Sequence, residues 1–424
     1  MKFLLTTFGS LGDLHPYIAV GKGLRERGHS VTLATSEIYR AKVEGEGLRF
    51  HPVRPEMSGI LDHPASMRQA LHPRMGTRHV ITRMFLPYLE QSYEDTVPAV
   101  RDADVVVSHP IAFATPIAAE VAKKPWISIA LAPSLFLSAS DPPHIPLIPG
   151  ADALRRLGPR FWGALFAMVR QGARRGGEPI ARLRAKLGLP ASPSSPIFDS
   201  FVSPWGTHAW FSKVLAQPQP DWPANTAITG FPFYDRLDAS TVMSEDLRRF
   251  LAAWPPPVVF TLGSSAVFDA GEFYSESAEA ARLAGLRAVL LTGIDPRNQP
   301  ARKLPDSVCV AEYAPYSELL PHAAATVHQG GVGTTAHALR SGRPMIVVPF
   351  SHDQPDNASR VARLGVARIV PRSKYRAERV AAELLTLLGH RSYRKQAACA
   401  ARAMESEDGV RTACERLEML SFIL

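Results

Sequence analysis

The chain has 424 residues, 46% of them apolar and 21% charged, with a formal charge of +9. That composition excludes intrinsic disorder, and a length beyond the ~250–300 residues at which single cores stop growing implies two domains. The positive balance implies attraction to something anionic, such as nucleotide phosphates, nucleic acid or a lipid surface, without choosing among them.

The chain opens on "MKFLLTTFGSLGD", whose apolar run is too short for a signal peptide and is broken by Asp13, so a cytoplasmic protein is expected. No uncharged apolar run approaches the ~20 residues needed to cross a bilayer, which leaves only peripheral contact at the inner membrane face open. "KFLLTTFGS" and "HSVTLATS" read as buried strands around the helical spacing of "LHPYIAVGKGLRERG", which makes a βαβ unit. The rhythm returns in "ADVVVSHP", "IAFATPIAAEVAKK" and "PWISIALAP". A proline-rich stretch follows from Ser138 to Pro149. Leu154 to Leu187 then reads as one or two basic amphipathic helices, with Arg155, Arg156, Arg160, Arg170, Arg174, Arg175, Arg182, Arg184 and Lys186.

Residues 216–235 are dense in proline and poor in periodicity, as a linker would be. A second α/β rhythm begins after it, with strands expected at "PPVVFTLGSS", "RAVLLTG", "SVCVAEYAP", "AATVHQGG" and "RPMIVVPFSHDQ". The expected fold class is α/β, two doubly wound parallel-sheet, Rossmann-like domains facing a cleft. The expected organisation is residues 1–215 for an acceptor domain, 216–235 for the linker, 236–405 for a nucleotide-sugar donor domain, and 406–424 for a C-terminal helix packing back on the first. Cys309, Cys399 and Cys414 match neither a disulfide framework nor a zinc pattern, and no metal site is expected.

In "TVHQGGVGTTAHALRSG" a strand runs into Gly330, Gly331 and Gly333, and a helix is expected to begin near Thr334. Glycines let backbone approach a ligand closely, and the helix start favours an anion, so the loop reads as a phosphate cradle. It lacks the Lys-Ser/Thr ending of a Walker A loop and the dinucleotide glycine spacing. A glycine-rich turn capped by Thr334 is the plainer reading of the same residues. His328 brings a donor to the mouth of the loop, and Asp353 with Gln354, expected to be exposed after the next strand, suits a polyol. A loop-capping imidazole and a turn carboxylate are the plain alternatives for His328 and Asp353.

"HQGGVGTTAHALRSGRPMIVVPFSHDQPDNASRVARLGVA" resembles the donor-binding motif of the inverting, GT-B-fold family 1 glycosyltransferases, and "TTFGSLGDLHPYIAVGKGLRERGHSVTLAT" resembles that family's first βαβ unit. Within the family, "DWPANTAITGFPFYD" and "GSSAVFDAGEFY" most resemble the rhamnosyltransferase of bacterial rhamnolipids. The resemblance implies that His328, Gly331, Val332, Gly333 and Thr334 surround the donor diphosphate, that Ser264 approaches it, and that Gly12 and Gly330 are among the donor-binding residues. It implies Tyr313 and Ala314 at the base, and Asp353 and Gln354 at the sugar hydroxyls. Where plant members grip the ribose with a glutamate, this chain has Ala336 and His337, which keeps a deoxyribose donor such as dTDP-rhamnose as open as UDP-glucose.

Plant members use a histidine base in the first loop. This chain has Asp13 there, with His15 two residues on and His109 about where the base's partner would stand. A carboxylate in a water-poor cleft can serve as that base. The implied enzyme is a metal-independent hexosyltransferase, with no cofactor beyond the nucleotide diphosphate sugar as co-substrate. Its acceptor would be a hydrophobic, hydroxyl-bearing molecule resting on apolar surface that includes Phe85, Phe136, Phe161 and Trp162. A nucleotide-sugar epimerase on the same fold lacks its expected carboxylate cluster. A nonenzymatic lipid or nucleic-acid carrier would leave the donor motif without a purpose, and the aromatic platforms for single-stranded nucleic acid are absent, so no nucleic-acid partner is expected. The sequence does not give an oligomeric state.

Overall fold

The computed structural model describes residues 1–58, 64–146, 148, 151–236, 242–300 and 304–422. They divide into two compact units, the first made of Met1–Ala70, Arg74–Tyr234 and Asp408–Leu424, the second of Leu71–Pro73 and Asp235–Glu407. Leu147 and Pro149 of the proline-rich stretch, and Ile423 and Leu424 of the terminal helix, lie outside the described residues.

The first unit holds β1 (Lys2–Thr6), β2 (Ser30–Thr35), β3 (Arg49–Pro52), β4 (Val105–Ser108), β5 (Trp126–Ala130), β6 (Thr207–Ala209) and β7 (Thr226–Ile228). They form one seven-stranded parallel sheet in the order β3-β2-β1-β4-β5-β6-β7. Strands covered on both faces by helices must be apolar along their length. Accordingly β4, VVVS, and β5, WISIA, are buried throughout, and Leu5 of β1 is in register with Leu33 on one side and Val107 on the other.

The sequence reading missed β3, β6 and β7, which have only three or four residues each and no apolar run. β7 lies inside residues 216–235, so that stretch is not a free linker: it completes the first sheet. Its prolines flank a short edge strand, where the missing N–H groups cost no ladder bond.

The second unit holds β8 (Val258–Thr261), β9 (Ala288–Leu291), β10 (Val308–Ala311), β11 (Ala325–His328), β12 (Met345–Val347) and β13 (Ala367–Ile369), a parallel sheet in the order β10-β9-β8-β11-β12-β13. Its core gathers Phe260, Tyr274, Ile346, Phe350 and Leu384. In both sheets the chain starts centrally, works outward, and returns to the other side, between β1 and β4 in one and between β8 and β11 in the other. At such a reversal the two following loops part and leave a crevice at the carboxyl ends of the strands.

The helix Gly409–Glu418 belongs to the first unit, where it lies on the helix Leu11–Glu26. Contact is close: a Cβ added at Gly23 would stand 2.6 Å from Val410 Cγ1 and 3.0 Å from Cys414 Sγ. Glu418 closes the joint by accepting from Arg27 at 2.9 Å and facing His29 Nε2 at 2.7 Å. Burial pushes the Cys414 thiol up to about 12, so it stays protonated and inert. Among the described residues no helix is long and apolar enough to cross a membrane, and no group of three or more His, Cys, Asp or Glu is placed to hold a metal.

Candidate active site

The crevice of the first unit is built from the loops after β1 and β4. Ser10 caps the helix Leu11–Glu26, with its hydroxyl accepting from the Gly12 amide at 3.2 Å, while Asp13 Oδ2 accepts from the Ser10 amide at 2.9 Å. This reciprocal pair is a capping box. Gly9, at φ +117°, makes room for it, because a Cβ there would lie 2.2 Å from Asp13 Oδ2. Tyr39 Oη donates to the Gly9 carbonyl at 2.8 Å and fixes the turn from outside.

The other carboxylate oxygen, Asp13 Oδ1, faces His109 Nε2 at 3.4 Å. His109 is buried directly after β4, and its Nδ1 accepts from the Ile111 amide at 3.3 Å. With Nδ1 occupied as an acceptor, the ring hydrogen of a neutral imidazole sits on Nε2 and points at the carboxylate. The Asp13 side chain is still 35% exposed, so it is oriented without being sealed in. One helical turn on, Tyr17 is fully buried with its ring 5.9 Å from that of His109. Burial first, and the Asp13 charge second, raise the Tyr17 and Tyr39 hydroxyls above their ordinary value, so neither competes as a base. His15 goes elsewhere, with its ring edge-on to Tyr234 at 4.9 Å.

In the second unit the loops after β8 and β11 meet. A Cβ added at Gly263 would lie 2.3 Å from Gln329 Nε2 and 3.3 Å from Thr334 Oγ1. The helix after β11 spans Val332–Arg340 and starts two residues earlier than expected, with Gly331 as its N-cap. Its first N–H groups therefore have no intrahelical partner, and no side chain caps them. Gly330 turns the chain at φ +91°, where a Cβ would stand 2.7 Å from Val347 Cγ1 and 3.1 Å from the Gln354 carbonyl. Beneath the loop, Tyr316 Oη and Thr261 Oγ1 are 2.9 Å apart. Burial raises the Tyr316 phenol, opposed by its bonds to Thr261 and Thr334.

Several expected roles change here. His328 is fully buried below the loop rather than at its mouth. Its Nδ1 accepts from the Gly330 amide at 3.1 Å, its Nε2 lies 3.3 Å from Met345 Sδ, and burial drops its pKa to about 3. A neutral ring with both nitrogens turned inward braces the loop from below. Gln354 is buried as well, because its Oε1 accepts from the amides of Phe350 at 2.9 Å and Ser351 at 3.3 Å. Asp353 stays half-buried ahead of the helix Gln354–Arg363 and accepts from Asn357 Nδ2 at 2.7 Å. The same Asn357 amide donates to the Gly330 carbonyl at 2.9 Å, which ties the two loops together.

Tyr313 is half-buried, with its hydroxyl donating to the Asp235 carbonyl, and Ala314 is buried. Ser264 sits half-exposed in the first turn after β8. Of the expected acceptor surface, Phe85 packs edge-on against Phe8 in the core, Phe136 stacks on Trp222 at 4.3 Å, and Trp162 is fully buried with its Nε1 donating to Leu154. Only Phe161, 40% exposed, is available to a ligand among these four. The sequence reading missed Gly9, Gln329 and Asn357. The spacing of Asn357 four residues after Asp353 on one helix is the signal that could have found the last of them.

Residues 3–133 match the glycosyltransferase family 28 N-terminal domain, and residues 281–420 match the erythromycin biosynthesis protein CIII-like C-terminal domain. Over 433 residues the chain is 31% identical to O-mycaminosyltylonolide 6-deoxyallosyltransferase of Streptomyces fradiae, covering 99% of this chain and 97% of that protein. The chain belongs to the GT-B family 1 glycosyltransferases. This glycosyltransferase is also 25% identical to a sterol 3-beta-glucosyltransferase of Debaryomyces hansenii, aligning over 98% of its own length but only 26% of that longer protein. Among solved structures it superposes on the glycosyltransferase of kitacinnamycin with a TM-score of 0.71 at 22% identity, covering 99% and 98% of the two chains. It superposes on VinC in complex with dTDP with a TM-score of 0.68 at 22% identity, covering 99% of each. The glycosyltransferase thus takes a nucleotide sugar as co-substrate and inverts the transferred centre, which sets aside the nonenzymatic carrier.

Proposed function

We propose that this enzyme moves a deoxyhexose from a dTDP-linked donor to a hydroxyl of a lipophilic natural-product acceptor, with Asp13 as general base. The observation that carries the reading is the Asp13–His109 pair at the β1/β4 reversal. The acceptor O–H gives its proton to Asp13 and its oxygen attacks the anomeric carbon. The bond from that carbon to the diphosphate oxygen breaks, and the nucleotide diphosphate leaves with the electron pair. His109 acts on Asp13 by holding Oδ1 with an N–H, so the oxygen that takes the proton is oriented before substrate arrives.

Leaving-group charge falls to the helix start at Gly331–Thr334 and the Thr334 hydroxyl, with Gly330 shaped by His328 and Asn357. Asp353 is assigned to the donor sugar's hydroxyls and Tyr313 to the base. A deoxyribose donor is favoured by His337, which stands in the turn where plant members carry a glutamate and is buried against the Tyr316 ring. The names of the Streptomyces fradiae relative and of the dTDP complex point the same way.

A donor-by-acceptor matrix tests the proposal, using dTDP- and UDP-linked hexoses against hydroxylated macrolide, polyketide, sterol and hydroxyacyl acceptors. Mass spectrometry reads the product and NMR its anomeric configuration. An inverted glycoside formed faster from dTDP-deoxyhexose is expected; preference for UDP-glucose would overturn the donor assignment, and retention of configuration would overturn the single displacement.

A further inference from the structure

A groove of about 1530 Å³ lies within the first unit, between residues 75–91 and residues 172–198. None of the residues placed above at the donor or base lines it. One wall is the wide helical turn Val80–Phe85; the other is the end of the helix Gly158–Ala173 and the Arg-Gly-Gly turn that follows. The deep part is apolar: Leu86 and Leu89 are buried, and Ile81 and Ile197 are half-buried. Gly172 and Gly176 keep the passage open. A Cβ at Gly172 would meet nothing within 4 Å, and one at Gly176 would reach only Ile197 at 3.5 Å and Thr82 at 3.8 Å.

The charges are at the edge. Both carboxylates that line the groove already have partners, Glu90 with Lys186 at 3.1 Å and Glu178 with Arg182 at 3.6 Å. Arg78, Arg83 and Arg175 are exposed at its lip, and among the described residues none of these guanidinium groups has an ion-pair partner. An exposed guanidinium with no ion-pair partner can give a ligand anion bidentate hydrogen bonds. The volume exceeds the ~300–1,000 Å³ of ordinary ligand pockets, which leaves room for a large apolar body.

We propose that this groove binds an anionic amphiphile, a carboxylate or phosphate head held by Arg78, Arg83 and Arg175 with its apolar body laid over Leu86, Leu89 and Ile197. A concave floor suits a single dispersed molecule better than the flat surface of a bilayer. Because the groove uses no residue assigned to sugar transfer, its failure would leave the transferase reading standing.

Calorimetry on the full chain tests it with dodecanoate and dodecyl phosphate below their micelle concentrations, decyl maltoside as a neutral amphiphile, and inorganic phosphate as a bare anion. Both anionic amphiphiles should bind, the neutral one at least about tenfold more weakly. Replacing all three arginines with alanine should weaken the anionic ligands by a similar factor, and Gly172→Leu, which extends into open space, should obstruct the body without disturbing the fold. The proposal is overturned by no binding, by equal binding of decyl maltoside, by inorganic phosphate binding as tightly as the anionic amphiphiles, or by binding only to phosphatidylglycerol vesicles. Unchanged affinity in the triple variant would also overturn it.

Discussion

The two units share one strand order and put opposite chemistry at the same point of it. At the β1/β4 reversal stand a carboxylate and an imidazole, Asp13 and His109; at the β8/β11 reversal stand glycines, backbone amides and neutral hydroxyls around a histidine whose charge has been suppressed. The topology supplies a crevice in each case, and the loop residues fit one to the proposed proton transfer and the other to the proposed anion. The proposed base is held by a partner that orients it and is still 35% exposed, so an acceptor hydroxyl can reach it. The proposed anion cradle would need rigid amides and no competing negative charge, and His328, which supports it, is buried and neutral.

Substitution at the two reversals should therefore fail in different ways. The largest expected effect is Asp13→Asn, which keeps the shape and the capping bond but removes the base. Turnover should fall by at least about 100-fold while calorimetric affinity for dTDP is preserved. Near-normal turnover would return the base assignment to His15. Next comes Gly330→Ala, which forces a side chain into a φ of +91° and against Val347. Strain of this kind, ~1–3 kcal/mol, should weaken dTDP binding about tenfold while the Asp13–His109 crevice is untouched. A smaller division lies inside the second unit. Thr334→Ala should weaken free dTDP and the complete donor alike, whereas Asp353→Ala should spare free dTDP and raise KM for the sugar nucleotide. Equal losses of free-nucleotide affinity in both variants would erase the distinction between phosphate and sugar contacts.

The smallest expected effect concerns pH. Burial holds His208 and His328 near about 3 and His337 near about 4, against ~6.5 in an unfolded chain. Below pH ~6.5 the unfolded chain takes up protons that the folded chain refuses, so stability falls with pH from there down through the folded values. Urea midpoints measured between pH 7 and 4 should drop accordingly. His328→Gln should make that fall shallower by close to one bound proton; an unchanged slope would mean that the folded ring accepts a proton after all.

How much of this could be read beforehand follows from range. The strands at "KFLLTTFGS", "ADVVVSHP", "PPVVFTLGSS" and "RPMIVVPFSHDQ" announced themselves because a strand buried on both faces must be an uninterrupted apolar run. β7, whose three residues are only half-buried, carries no such signature, and its proline-rich flanks read as linker. The cradle's glycines were legible for the same local reason. Whether His328 points up at a ligand or down at Met345 depends on a neighbouring strand, and the burial of Phe85 depends on Phe8, far away in the chain. The Asp13–His109 pair lies between these cases: both residues follow strands, but that their strands are adjacent is a property of the sheet order.

The seam between the helices Leu11–Glu26 and Gly409–Glu418 imposes an order on how the molecule can be made. The first unit's opening helix turns Gly23 toward Val410 and Cys414, residues that the ribosome adds after the whole of the second unit. During synthesis that face is bare, and the second unit can be complete while the first still lacks its final helix. A chain cut after Tyr234 would carry the bare face permanently, whereas one in which residues 408–422 are joined to Tyr234 by a short spacer would restore it and should be the soluble form of the isolated first unit.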